Sequence, residues 1–352
     1  MCPRAGGWNV SFDHLELLTD DTGILQHARF CIPHRQAGYA TDDNARALSV
    51  ASLWYSRDRS ERALDLVNTY LSFLLHAQRE DGYFHNFLSC SREWLDARGT
   101  QDCQGRALLS LANALGCGLP EGMSRCAREL FDRACAVVPQ LTSPRACALA
   151  SVGLSRAIRN LGLGDLLGRM SVPVERLISE YRSTARRGWR WFEDSITYGN
   201  AVMCQALFEA YAASKREQAL EVAEESLDFL EEVCFENEMF VPVGNKGWYR
   251  RGQERAVYDQ QPIEASTMLD AELAAFEATS ETERMEAAES VLGWFHGKNT
   301  LGSSIADRSR GACRDGLTSE GPNLNEGAES TLSFLSAEMN WQRANERYGR
   351  LS

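Results

Sequence analysis

The sequence places acids and amides together at short, separated intervals. Asp42 and Asp43 are adjacent and sit just after Thr41, with Asn44 and Arg46 following. Asp102 lies four residues before Arg106, and the stretch WRWFEDSITYGNA joins Glu193 and Asp194 to Tyr198 and Asn200. Asp259, Gln260, Gln261 and Glu264 cluster around Pro262, while Asp315, Glu326 and Glu329 close the series. Carboxylates and amides bind hydroxyl groups, and the faces of rings such as Trp189, Trp191 and Trp248 stack on sugars. Paired carboxyl groups also suit glycosidic bond cleavage, in which one protonates the leaving oxygen and the other activates water or attacks carbon.

These residues fall at helix starts. Apolar residues recur at i, i+3, i+4 and i+7 through eleven segments, near 43–56, 59–77, 102–116, 122–138, 144–160, 171–184, 196–213, 215–233, 261–279, 281–297 and 325–345. A shorter candidate runs from Asp13 to Leu18, and strand-like alternation is nearly absent. Every second helix opens on a related motif: DDNARAL, DCQGRAL, SPRACAL, TYGNAVMCQAL, QQPIEASTML and NEGAESTL, about 40 to 65 residues apart. That spacing fits one helical hairpin per repeat. Connections leaving the motif helices are short, and those entering them are mostly long and rich in Gly, Asn, Asp, Trp and Tyr. Long loops in a compact domain are commonly functional. Parallel motif helices would bring the loops and six helix starts to one face. The expected architecture is therefore an all-α (α/α)6 barrel, one domain over residues 1–352, with a cavity at the amino-terminal ends of its inner helices.

Acids at a helix start are favoured by the free N–H groups and the helix dipole even without chemistry. Adjacent first-turn residues point about 100° apart, so one of the two aspartates is expected to face the axis, and Asp43 is favoured. Asp194 is the second catalytic candidate, because only one of Glu193 and Asp194 can cap the fourth inner helix. Glu329 shares a helix face with Glu326 and is the candidate opposite Asp43. Asp42, Arg46, Asp102, Tyr198, Asn200, Trp248, Asp259, Gln260, Gln261, Glu264, Asp315 and Glu326 are expected to bind substrate.

Composition excludes other classes. The 352 residues hold 37 Lys+Arg against 49 Asp+Glu, a net charge of -12, which leaves no basic footprint for nucleic acid or an anionic membrane surface. The six histidines show no HxxxH or HExxH spacing and the eleven cysteines no CxxC, so no metal is expected, and no phosphate-cradling glycine loop or cofactor motif occurs. The amino-terminal MCPRAGGWNVSFDH lacks an apolar signal core and no spanning run is present. A reduced, cytoplasmic protein with no membrane or nucleic-acid partner is expected, with an oligosaccharide as its substrate.

GYATDDNARAL, QREDGYFHNF, WFEDSITYGNA, GNKGWYRRGQERAVYDQQPIEA and CRDGLTSEGPNLNEGAESTL together resemble the six-hairpin glycosidase-like bacterial proteins, which occur alone or fused behind a glycosyltransferase domain. The resemblance runs from about Asp13 to Met339. It implies an (α/α)6 barrel that processes mannose- or glucose-containing oligosaccharides. A broader resemblance to bacterial α-mannan hydrolases with adjacent aspartates implies Asp42 and Asp43 as the working pair. The chain reads TYGNA at Gly199, where TYDNA is usual for the group. A sugar epimerase or isomerase, or a non-catalytic carbohydrate-binding barrel, are the alternatives on the same fold.

Overall fold

The computed structural model describes residues 7–349; the first six and last three residues, including Cys2 and the start of the amino-terminal segment read above, lie outside the described residues. Six inner helices follow the six motifs: α2 (Thr41–Asp58), α4 (Gln101–Leu115), α6 (Pro144–Leu161), α8 (Val202–Ser214), α10 (Pro262–Thr279) and α12 (Ala328–Tyr348). Each packs on the next, and α12 returns to α2, so the ring closes. The outer partners are α3 (Glu61–Ala77), α5 (Glu121–Ala136), α7 (Leu167–Thr184), α9 (Glu217–Cys234) and α11 (Thr282–Phe295). The short α1 (Asp13–Leu18) packs against α12 as the sixth outer element, and Arg62 of α3 ties it in through Asp13 and Glu16. The fold is an all-α (α/α)6 barrel.

Local chemistry explains the hairpins. The inner helices α2, α6, α8 and α10 end on left-handed residues, Arg59, Gly162, Lys215 and Ser280, which stop the helix and allow the tight turn outward. Ser60, Thr100 and Ser143 accept the N–H of Ala63, Cys103 and Ala146 and so cap α3, α4 and α6. The inner ring closes tightly where the motifs carry glycine. A Cβ on Gly105 would lie 2.8 Å from the Ala146 carbonyl, so nothing larger fits between α4 and α6. Buried Trp191, Trp294, Phe208, Phe295 and Phe334 fill the space about the helices, each contributing roughly 1.5–3 kcal/mol by its removal from water. Among the described residues, no helix is long and apolar enough to cross a membrane.

The long loops meet at the amino-terminal face of the inner ring and brace one another. Tyr39–Ala40 pairs with Phe87–Leu88, Ser195–Ile196 with Tyr249–Arg250, and Gln260 bridges Leu317. The boundary that differs most from the periodicity is the start of α8, at Val202 and not near 196. Gly199 has φ +55, and the Asn200 side chain bonds the Thr197 N–H (2.9 Å) and carbonyl (2.7 Å), so the chain turns there before it coils.

A buried acid between the inner and outer helices gives a stability prediction. Glu272 of α10 is fully buried, its carboxyl meets that of Glu231, and its nearest cation, Arg284, stands 3.8 Å away and is already paired with Asp228 and Glu231. Burial first, then the charge of Glu231, pushes its pKa well above the usual 4.5. A carboxyl with a raised folded pKa favours folding at low pH and subtracts stability as pH rises from about 4.5 toward the folded value. Glu272→Gln should leave the melting temperature unchanged near pH 4 and raise stability by about 1–3 kcal/mol at pH 8. Equal melting curves of the two proteins at pH 8 would contradict this.

Candidate active site

At the start of α2, acids meet the free N–H groups of the first turn. Thr41 fixes the entry by donating from Oγ1 to the His85 carbonyl (2.6 Å) and from N to the Asn86 carbonyl (2.8 Å). One turn on, Arg46 gathers three carboxylates: Nη1 donates to Asp43 Oδ1 (2.9 Å) and Asp42 Oδ2 (3.2 Å), and Nη2 to Glu329 Oε2 (2.8 Å). Carboxylate oxygens of the three acids lie within 4.8 Å of one another. Such a trio has the donor set for a cation, and the Arg46 guanidinium supplies that charge, held protonated by its neighbours.

The two adjacent aspartates differ in environment. Both reach Arg46, although one was expected to face the axis alone, because the planar guanidinium one turn away spans both side chains. The Asp43 side chain is 10% exposed and that of Asp42 30%. Burial, followed by the charge of Asp42, raises the pKa of Asp43 well above the carboxylate range and outweighs the opposing pull of Arg46. One acid is therefore poised to hold a proton beside a more open partner.

Beside this trio lies a second polar group. Asp102 accepts from Ser143 Oγ (2.7 Å) and from the Tyr198 hydroxyl, and it makes no ion pair with Arg106, the partner its spacing suggested. Burial and the Asp102 charge keep the Tyr198 phenol protonated. Arg145 lies over the Tyr198 ring (4.9 Å) and bonds Glu193 (2.9 Å), Thr197 Oγ1 (2.7 Å) and the Tyr198 carbonyl, which fixes the WFEDSITYGNA loop. Glu264 is buried against the same loop and accepts from the Gly199 N–H (2.5 Å) and Asn200 Nδ2 (2.8 Å), with burial pushing its pKa up to about 7 despite these bonds. A Cβ at Gly199 would meet nothing within 4 Å. Asn200 is thus a loop-fixing residue here.

Other candidates are dispersed. Asp194 is not brought to the trio: its side chain is 75% exposed and pairs with Arg251, since both it and Glu193 precede the Ser195–Ile196 strand instead of capping α8. Gln260 is fully buried and accepts from Trp294 Nε1 (2.8 Å), while Gln261 stands at the amino-terminal boundary of α10 with no side-chain cap. Asp259 holds Asn245 through its carbonyl, and its buried Oδ1 has no partner. Trp248 sits at φ +60 in a turn closed by Gly244. Asp315 caps α12 from outside, accepting from the Gly327 N–H and Ser330 Oγ at 2.8 Å each, and Glu326 pairs with Arg310.

The principal cavity, about 690 Å³, lies below this face. Arg46 and Arg106 line its upper part, at the second turn of the inner helices, and Glu277, Arg347 and Tyr348 line the opposite end. Asp42, Asp43 and Glu329 do not line it, so the expectation of one cavity ringed by all the helix-start acids needs correction: the acids lie above a lumen that begins at Arg46. Small side chains such as Ser49, Ala112, Ser266 and Ser336 leave that lumen open. Arg106 makes no ion pair or hydrogen bond among the described residues. Burial and the nearby Arg46 charge lower its pKa to about 10.

Neither Arg145 nor an unpaired Arg106 was expected from the sequence. Arg106 was legible in part: DDNARAL and DCQGRAL align Arg46 with Arg106 and Asp43 with Cys103, so the second arginine lacks its i−3 acid. Arg145 follows Pro144 inside a motif that looks like packing.

No protein-family model and no curated protein matches the chain. Solved structures do. The cellobiose 2-epimerase from Bacillus thermoamylovorans B4167 superposes with a TM-score of 0.72 at 12% identity over 95% of this chain and 96% of that one. The shared feature is the barrel. A D-mannose isomerase gives 0.71 at 11% identity, covering 94% and 95% of the two chains. An inactive variant of the alpha-1,6-mannanase GH76A of Salegentibacter sp. HEL1_6, with two consecutive aspartates replaced by asparagine and alpha-1,6-mannotriose bound, gives 0.62 at 12% identity over 96% and 98%. The (α/α)6 neighbours are thus carbohydrate-active enzymes of two reaction types, hydrolysis and epimerisation or isomerisation.

Proposed function

We propose that this barrel is a glycoside hydrolase acting on a mannose- or glucose-containing oligosaccharide, with Asp43 as general acid and Asp42 as nucleophile. The observation that carries the reading is the unequal pair itself: a buried Asp43 whose pKa is raised by that burial and by the Asp42 charge, beside a more exposed Asp42 fixed by Arg46. Asp43 would protonate the glycosidic oxygen while Asp42 attacks the anomeric carbon. Water, deprotonated by Asp43, would then release the sugar from Asp42 and return the proton to Asp43. Arg46, itself held by Glu329, keeps Asp42 in place, and Asp102 with Tyr198 offers hydroxyl-binding groups nearby. The inactive mannanase with two consecutive aspartates replaced supports assigning the chemistry to this pair.

An epimerase moves a proton at a sugar carbon and commonly uses histidine for it. All six histidines are among the described residues, and none lines the cavity or bonds a member of the trio. His14 bonds the Glu326 carbonyl, His85 the Asp96 carbonyl, and His296 the Glu338 carboxylate. That distribution favours hydrolysis.

Oxygens of Asp42 and Asp43 lie within 4.8 Å of one another, nearer the about 5–5.5 Å of retaining enzymes than the 6.5–9.5 Å that leaves room for water. Alpha-1,6-mannotriose is therefore expected to yield products that first appear in the α configuration by anomer-resolved NMR. Initial appearance of the β anomer would require an inverting arrangement and remove Asp42 from the nucleophile's role.

A further inference from the structure

We propose that the barrel lumen beneath the carboxylates is a second binding site, for a small polyhydroxylated anion whose carboxylate or phosphate is held by Arg106.

The cations beside Arg106 in the upper and middle lumen are committed, while Arg343, in the last turns of α12 and exposed, makes no ion pair or hydrogen bond among the described residues. Arg46 serves three carboxylates, Arg156 bonds Glu209 and Asn113, and Arg159 bonds Glu209 and Glu277. Arg106 faces the same space without a partner because Cys103 stands where Asp43 stands in the neighbouring motif, and because Ser143 and Tyr198 take up Asp102. A half-buried guanidinium with free donors can grip an oxyanion through two parallel bonds. Neutral polar groups without partners accompany it. Gln205 of α8, Ser266 of α10 and Ser333 of α12 line the cavity within the first two turns of their helices and make no side-chain hydrogen bonds among the described residues. An amide and two hydroxyls that face the same lumen as the cation offer hydrogen bonds to a ligand that bears hydroxyls as well as charge. A cavity of about 690 Å³ has room for a monosaccharide-sized anion. It would enter by the end lined with Glu277, Arg347 and Tyr348.

This goes beyond the hydrolase reading, and it is read by binding alone, so each can fail without the other. Titration calorimetry of the full chain with mannose 6-phosphate, gluconate and mannose should show at least one anion binding ten-fold or more tightly than mannose, and weakening with salt. Tight mannose 6-phosphate binding assigns the site to phosphate, and tight gluconate binding assigns it to carboxylate. Arg106→Met should fold, since its side chain makes no ion pair to lose, and should weaken the anion at least ten-fold; Arg106→Lys should recover part of it. Ser333→Phe, which fills the lumen and leaves the arginine, should also block binding. The proposal is overturned if neither anion binds better than mannose, or if Arg106→Met and Ser333→Phe bind the anion as the native protein does.

Discussion

Asp43→Asn is expected to lower kcat on alpha-1,6-mannotriose by a factor of about 10²–10⁴, the range for removal of a general acid, while leaving the protein folded. Asparagine preserves the shape of a protonated carboxyl, and its Oδ1 still accepts from Arg46 Nη1, which lies 2.9 Å from the native oxygen. The stability effect has a definite sign. The folded pKa of Asp43 is raised above 3.8, mainly by burial, so the native protein loses stability as pH climbs from about 3.8 through the folded value. Asparagine does not ionise. The variant should melt with the native protein near pH 3.5 and above it at pH 8. A variant that keeps native kcat, or that gains nothing in melting temperature at pH 8, contradicts a protonated catalytic Asp43.

Arg46→Met carries the largest expected stability loss. The arginine side chain is 11% exposed and its three partners are 30%, 10% and 43% exposed, so solvent partly screens the trio and the loss is at the low end of that for breaking a buried ion pair, about 3 kcal/mol. Without the guanidinium, Asp42 and Glu329, whose oxygens lie within 4.8 Å beside Asp43, repel one another. The destabilisation should therefore be greater at pH 8 than at pH 4, where protonation relieves the repulsion, opposite to the behaviour of Asp43→Asn. Arg46→Lys should not restore activity, because one ammonium cannot reproduce a fork that reaches Asp42, Asp43 and Glu329 together. Thermal melts of the two Arg46 variants at both pH values check this, and a native melting curve for Arg46→Met at pH 8 would contradict it.

Much of the fold was legible because each hairpin announces itself twice, in helical periodicity and in the contrast between short and long connections. The barrel and its six inner helices follow from those signals. The start of α8 was not legible, since apolar residues continue through TYGNA and the decision rests on the Gly199 backbone and the Asn200 side chain. At the site, the convergence of Asp43, Arg46 and Glu329 follows from helix-start acids meeting across a closed ring. Asp194 and Asp315 carry the same sequence signal as Asp43, an acid at the edge of a motif, yet one faces solvent beside Arg251 and the other caps α12. Periodicity cannot separate those outcomes, because a loop acid's direction is set by partners distant in sequence. Nor did it reveal the empty lumen, which depends on the summed volume of six helices' inward side chains.

The central claim, cleavage by paired carboxylates in preference to proton shuffling at a sugar carbon, is tested most directly by one NMR time course in D2O with alpha-1,6-mannotriose and, in the same tube, cellobiose. Hydrolysis should shorten one of these oligosaccharides and leave every product carbon-bound proton in place. Appearance of a C2-epimer or ketose carrying deuterium at the exchanged carbon, with chain length unchanged, would contradict the account and make the barrel an epimerase or isomerase.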